Sequence, residues 1–305
     1  MADNAQAATS HPSTSLSGMA ARLNTVTHTL RRLLALWGIA ARLDLMWVAR
    51  DLPTALALTA SDMVLVLAQV TATFLLAARF NGIGAWSVPR IVFMLGYALQ
   101  MTRIPDILFN FNVSFISRRI GRGQLDHTLI QPQPLWMALL TDGFTPFDGA
   151  LANLPGIALL IWAGTQLHLA VTPGWVGLFA LNLLASIVIG LAFTYVIGSL
   201  AFWAPRAAEE INSSSWKLLS QLKQFPLDGL SPALLAGLVT AVPVGLLAWY
   251  PSRALLGLDH APYAVYVTPL AAVAFAAIAV VVFRKGLAEY ARTGSQRYLA
   301  LGHRR

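Results

Sequence analysis

Arg103 and Asp106 are the residues best placed to do something that a lipid bilayer would otherwise forbid. They stand three positions apart, and so on one face of a helix, with Pro105 loosening the turn between them. The apolar run that holds them, roughly 90–116, is long enough to cross a hydrocarbon core, which takes about 20 helical residues. Ionisable side chains at that depth are costly, so they must face protein or water. Two roles are open. The pair lines a polar route with Gln100, Asn110 and Asn112, or the two charges only neutralise each other inside a bundle. Pro243, in the middle of a later apolar run, joins Arg103, Asp106 and Asn110 as a candidate for the route. Asp62 belongs near the inner interface, where water reaches it. His168 belongs near an outer end, with nothing spaced to make it a metal ligand.

Catalysis finds little support. A membrane enzyme needs a nucleophile beside a base, or carboxylates and histidines gathered at one depth. The six histidines are scattered, and the run Ser213, Ser214, Ser215 has no adjacent base. No GxxxxGK[ST] loop is present to cradle phosphates on glycine amides. The chain has no cysteine, which removes disulfides, thiolate metal sites and thiol nucleophiles.

The second constellation is a polar, basic island at 116–134, Ile-Ser-Arg-Arg-Ile-Gly-Arg-Gly-Gln-Leu-Asp-His-Thr-Leu-Ile-Gln-Pro-Gln-Pro. Arg118, Arg119 and Arg122 follow directly on an apolar run, which marks the cytoplasmic side of a membrane. Gly121 and Gly123 flank Arg122, and Leu125, Leu129 and Ile130 alternate with Asp126, His127 and Gln131 before Pro132 and Pro134 close the segment. It reads as a charged turn or, more sharply, as a docking element on which a cytoplasmic partner pushes.

The rest of the chain says what must hold these residues. Of 305 residues 57% are hydrophobic and only 11% charged, with a mean hydropathy of +0.63. Soluble domains carry about 25% charged residues. This is the composition of an all-α integral membrane protein. The net charge of +8 does not describe a nucleic-acid face. Most basic residues fall in four clusters: before residue 53, in the island, between Arg206 and Lys223, and from Arg284 onward. The clusters follow the positive-inside rule.

Residues 1–18 read as a disordered cytoplasmic tail, because they lack the apolar core of a signal peptide. Residues 19–52 form a basic amphipathic helix, with Leu23, Val26, Leu30, Leu34 and Trp37 on one face, lying along the cytoplasmic headgroups. Asp51 and Pro53 suit the start of the next helix. Six apolar runs then fill 53–284, at roughly 56–79, 90–116, 149–170, 175–203, 232–250 and 264–283. A turn at Asn81-Gly-Ile-Gly-Ala-Trp-Ser carries an interfacial tryptophan. The polar stretch 204–230 and a basic tail at 285–305 sit with the island and both termini in the cytoplasm.

Taken in order, Asn81 to Ser87, the island from Ile116 to Asp126, Leu129 to Pro132, Phe225-Pro-Leu, Pro243 and Phe283-Arg-Lys-Gly-Leu-Ala-Glu-Tyr290 with Thr293-Gly294 resemble the permease subunits of bacterial type-two ATP-binding-cassette exporters. The likeness covers about residues 43–295. The long polar N-terminus and Gln131, where a basic residue is commoner, depart from it. The resemblance implies an exporter half in the bacterial inner membrane. It would pair with a second permease, identical or related, and with cytoplasmic ATPase subunits that carry ATP and Mg, this chain holding no cofactor and no metal. It also implies that the island and the N-terminal helix touch the ATPase, with Arg119, Gly123, Leu125, Asp126, Leu129 and Pro132 as the coupling residues. The competing reading is a stand-alone transporter driven by an ion gradient, with Arg103 and Asp106 at a midplane site.

Overall fold

A computed structural model describes residues 13–79, 82, 85–109, 116–141, 143–147, 153–259 and 261–294. Among them the chain is helical throughout, as expected of an all-α integral membrane protein. Helix α1 (Ser13–Arg50) starts earlier than expected, and α2 (Leu52–Arg79) follows with one residue between. Asp51 makes the break, its Oδ1 accepting the Thr54 amide at 3.2 Å, and Pro53 fits the first turn of α2. Trp37 on α1 donates to the Leu140 carbonyl at 3.1 Å and stacks on Phe144 at 5.5 Å, while Asp44 accepts the Phe147 amide at 2.7 Å. Leu30, Leu34, Leu43 and Met46 stay exposed, which leaves α1 an apolar flank.

Helix α3 (Val88–Phe109) is the most enclosed of the long helices. Two short helices build the island, α4 (Ile116–Gly121) and α5 (Gln124–Leu129), followed by α6 (Leu135–Thr141) and α7 (Leu154–Gln166). Gly96 and Gly156 let α3 and α7 touch backbone to backbone; a Cβ on Gly96 would stand 2.8 Å from Leu160 Cγ. Helix α8 (Pro173–Ser199) opens with Thr172 accepting the Trp175 amide and Pro173 in its first turn. It runs beside α12 (Ala264–Thr293). Pro269 inside α12 cannot supply the N–H that the Val265 carbonyl expects. Asn182 of α8 supplies it instead, Nδ2 to oxygen at 3.0 Å.

The largest difference from the expected topology lies in α9 (Pro205–Leu222). The polar stretch 204–230 was expected to stay at one end of the molecule; it runs the length of the bundle. Ala208 packs with Ile116, Phe202 and Tyr290 at the basic end. Leu219 packs with Met101, Ile189 and Val244 halfway up. Leu227 packs with Trp86, Tyr97 and Trp249 near the opposite end. Eighteen helical residues span about 27 Å, close to the ~30 Å of a hydrocarbon core. The helix is two-sided: Ala208, Asn212 and Leu219 are buried in the bundle, while Glu210, Ser213, Ser214 and Lys217 fill the opposite face.

The run 232–250 is correspondingly not a straight span. Helix α10 (Pro232–Thr240) and a short turn leading into α11 (Trp249–Leu255) meet at a bend of 72°. Pro243 sits at the bend, where its missing N–H ends α10. Both arms pack at the end away from the island: Leu235 and Leu255 join Trp86, and the Leu255 carbonyl accepts Trp175 Nε1 at 3.3 Å. Among the described residues four helices are long and apolar enough to cross a membrane, or five if the bent pair is one span.

Candidate functional site

The polar residues of the bundle gather around a cavity of about 250 Å³ between α2, α3 and α9. Arg103 and Asp106 both line it, but they are not each other's closest partners. Arg103 Nη1 lies 2.7 Å from Asp62 Oδ2 on α2 and 4.0 Å from Asp106 Oδ2. Helix α9 brings a fourth charge that the sequence reading had placed in a cytoplasmic stretch, Lys223. Its side chain is only 8% exposed, and Nζ donates to Thr102 Oγ1 at 2.5 Å. The Thr102 hydroxyl in turn donates to the Ala98 carbonyl at 2.9 Å. One acid, Asp106, and two bases, Arg103 and Lys223, thus line the chamber, while Asp62 holds Arg103 from beside it. Its remaining wall is mixed, with Gln69, Ser220 and Gln224 beside Val66, Val70, Leu95, Leu99 and Trp216.

This geometry sets an expectation for Arg103→Leu. The variant strands two carboxylates about one chamber. The cost lies between the ~1 kcal/mol of an exposed pair and the ~3–5 kcal/mol of a buried pair broken on one side, because both carboxylates are partly exposed. Adding Asp62→Asn should restore most of the loss, and adding Asp106→Asn less. Melting temperatures of the three proteins check this order; equal rescue by both would contradict the assignment of Asp62 as the main partner.

A second polar centre closes the opposite end. Asp228, just beyond α9, accepts from the indole N–H of Trp86 and from Trp249 Nε1 at 2.6 Å, while Arg253 Nη1 meets its other oxygen at 2.6 Å. Arg253 also reaches Asp259 at 2.8 Å and lies over the Trp249 ring at 5.5 Å. Trp86 is not an interfacial residue as expected. It is 1% exposed, and its N–H is spent inside the protein.

The island is folded onto the other end of the same helix. Arg118 Nε and Arg122 Nη2 approach Glu209 Oε1 of α9 at 2.9 and 3.4 Å. The Tyr290 hydroxyl of α12 donates to Asp126 Oδ1 at 2.6 Å, and Arg32 of α1 donates to the Pro132 carbonyl at 3.1 Å. Gly123, at φ 68°, provides the left-handed turn that folds α5 back under α4. That turn sends Leu125, 0% exposed, into the chain's own core with Ile116 and Ile120. Leu125 is therefore not on a face that a partner could cover, unlike the expectation. Leu129 and Ile130 are exposed, Ile130 by 80%. Arg119 is half-buried.

The structure thus gathers Arg103 and Asp106 and adds Asp62, Thr102 and Lys223. Asn110 and Asn112 lie outside the described residues. Pro243 belongs to the bend of the outer pair and does not line the cavity. The signal that would have found Lys223 is the helical spacing of Ala208, Asn212 and Leu219, which continues to it. Residues 63–294 match the model of a family described as ABC-2 family transporter protein. No curated protein and no solved structure matches the chain.

Proposed function

The chain belongs to the ABC-2 family of transporter proteins, a multi-pass permease component of an ABC transporter, and on that premise we propose that it is the membrane half of an exporter driven by a separate ATPase. The observation that carries the reading is the way α9 joins three places. Glu209 holds the island at one end, Ser220 and Lys223 face the cavity, and Asp228 beyond its end ties the outer bend. A push on the island would move this rod, and α12 through Tyr290, against a cavity at mid-depth. In this reading the six crossings are α2, α3, α7, α8, α9 and α12, with the bent pair dipping in from outside. The basic clusters support placing the island and both termini in the cytoplasm of a bacterium and the protein in its inner membrane. Leu129 and Ile130 would meet the ATPase, while Arg119, Gly123, Leu125, Asp126 and Pro132 shape and anchor the element that carries them. ATP and Mg would sit on that subunit, and a second permease, identical or related, would complete the path.

The experiment is co-purification of the full chain with a cassette ATPase encoded beside it. A stable complex is expected. A chain that transports alone, driven by an ion gradient, would favour the stand-alone transporter instead.

A further inference from the structure

We propose that the cavity between α2, α3 and α9 binds a zwitterionic head group, one ammonium and one phosphate or carboxylate, on an amphipathic molecule. The proposal deepens the permease reading and rests on it only for calling that molecule cargo.

Two charged side chains of the chamber have unused bonding capacity. An ammonium has three donors. Lys223 is buried, lines the cavity, and among the described residues makes one hydrogen bond, to Thr102. No carboxylate of the described residues stands at ion-pair distance from it. Asp106 is the complementary case. Among the described residues its one ion pair is the 4.0 Å approach of Arg103, whose Nη1 is held at 2.7 Å by Asp62. Arg103 is therefore largely committed to Asp62 beside the chamber, and Lys223 and Asp106 remain as two under-used charges of opposite sign on its wall, facing each other beyond ion-pair distance.

Charge balance then selects the ligand. An added anion would satisfy Lys223 and crowd Asp106; an added cation would do the reverse. Beside a buried ammonium and a partly apolar wall either mismatch is costly. A molecule carrying both charges satisfies both without changing the net charge of the site. About 250 Å³ is the share of roughly eight waters, room for a small head group and not for a whole lipid. Val66, Gln69 and Val70 form the α2 wall, and the same helix also presents exposed apolar side chains such as Leu65 and Leu67, along which a tail can lie.

The test uses the full chain in a non-ionic maltoside and three single-chain amphiphiles with one brominated tail. Their heads are phosphoethanolamine, phosphate monoester and primary ammonium. Quenching of tryptophan fluorescence reads binding, and Trp216→Phe identifies the signal that comes from the cavity wall. The zwitterion should bind saturably and at least about tenfold more tightly than either singly charged probe, a difference of ~1.4 kcal/mol. Lys223→Met and Asp106→Asn should each reduce that preference to about twofold or less. Competition by free phosphoethanolamine at the same concentrations supports the site and makes its natural ligand a soluble zwitterion; no competition supports a lipid. Equal binding of the three heads by the unmodified chain overturns the proposal without any variant. So does a preference that survives in both variants. Co-purification with an ATPase is indifferent to all of this, so a failed ranking leaves the permease reading standing, and a failed complex leaves the head-group site standing.

Discussion

Asp228→Ala is expected to cost about 3–5 kcal/mol of stability, the largest loss from any one side chain discussed here. The carboxylate is the common acceptor for two indoles and a guanidinium, contributed by the turn before α3 and by α11. Its removal strands both indole N–H groups in a core where Trp86 is almost fully enclosed. Arg253 keeps Asp259 and is the least affected partner. The loss should lower the melting temperature by on the order of 10 °C. Asp228→Asn keeps an acceptor but no charge and should lose roughly half as much. A thermal scan in detergent checks both; an alanine variant that melts with the unmodified chain would mean that the outer bend is held by apolar packing alone.

Cysteines introduced near the two ends of residues 205–230 should label from opposite sides of the membrane. Ala207 and Leu230 are both exposed, and the chain has no native cysteine to interfere. Leu230→Cys in intact cells should react with an impermeant maleimide added outside. Ala207→Cys and Gln124→Cys should react only after permeabilisation. The effect is close to all-or-none, because the reagent either reaches the thiol or does not. Labelling of positions 207 and 230 from the same side would return the whole stretch to a loop and remove α9 from the set of crossings.

What could be read from the chain alone follows from which physical signals are local. The long apolar helices are plain, since a membrane demands an apolar run and nothing else imitates it. Asp51 and Pro53 mark a helix start by their chemistry. Arg103 and Asp106 stand out because charges in such runs are rare. Helix α9 was hidden by the same rule. A helix whose outward face is Glu210, Ser213 and Lys217 looks like a loop to any average over its residues, and only its buried spacing shows otherwise. The 72° bend within 232–255 was not legible, because both arms are apolar and Pro243 gives no angle. Partners distant in sequence were not legible at all. Asp62 with Arg103, Lys223 with Thr102 and Trp86 with Asp228 join segments up to 142 positions apart, and nothing in either segment names the other. The island was legible as an element but not in its inner and outer faces, since Gly123 decides which leucine points in.

The coupling claim is tested most directly by the affinity of the ATPase subunit for the permease in lipid nanodiscs. Ile130→Asp changes an exposed side chain, so insertion and melting should match the unmodified chain. A charge placed in an apolar docking contact costs a few kcal/mol, so the affinity should fall at least about tenfold. Leu129→Asp should follow in the same direction. An Ile130→Asp permease that binds the ATPase as tightly as before would contradict the account, and the island would then be no more than a turn between two crossings.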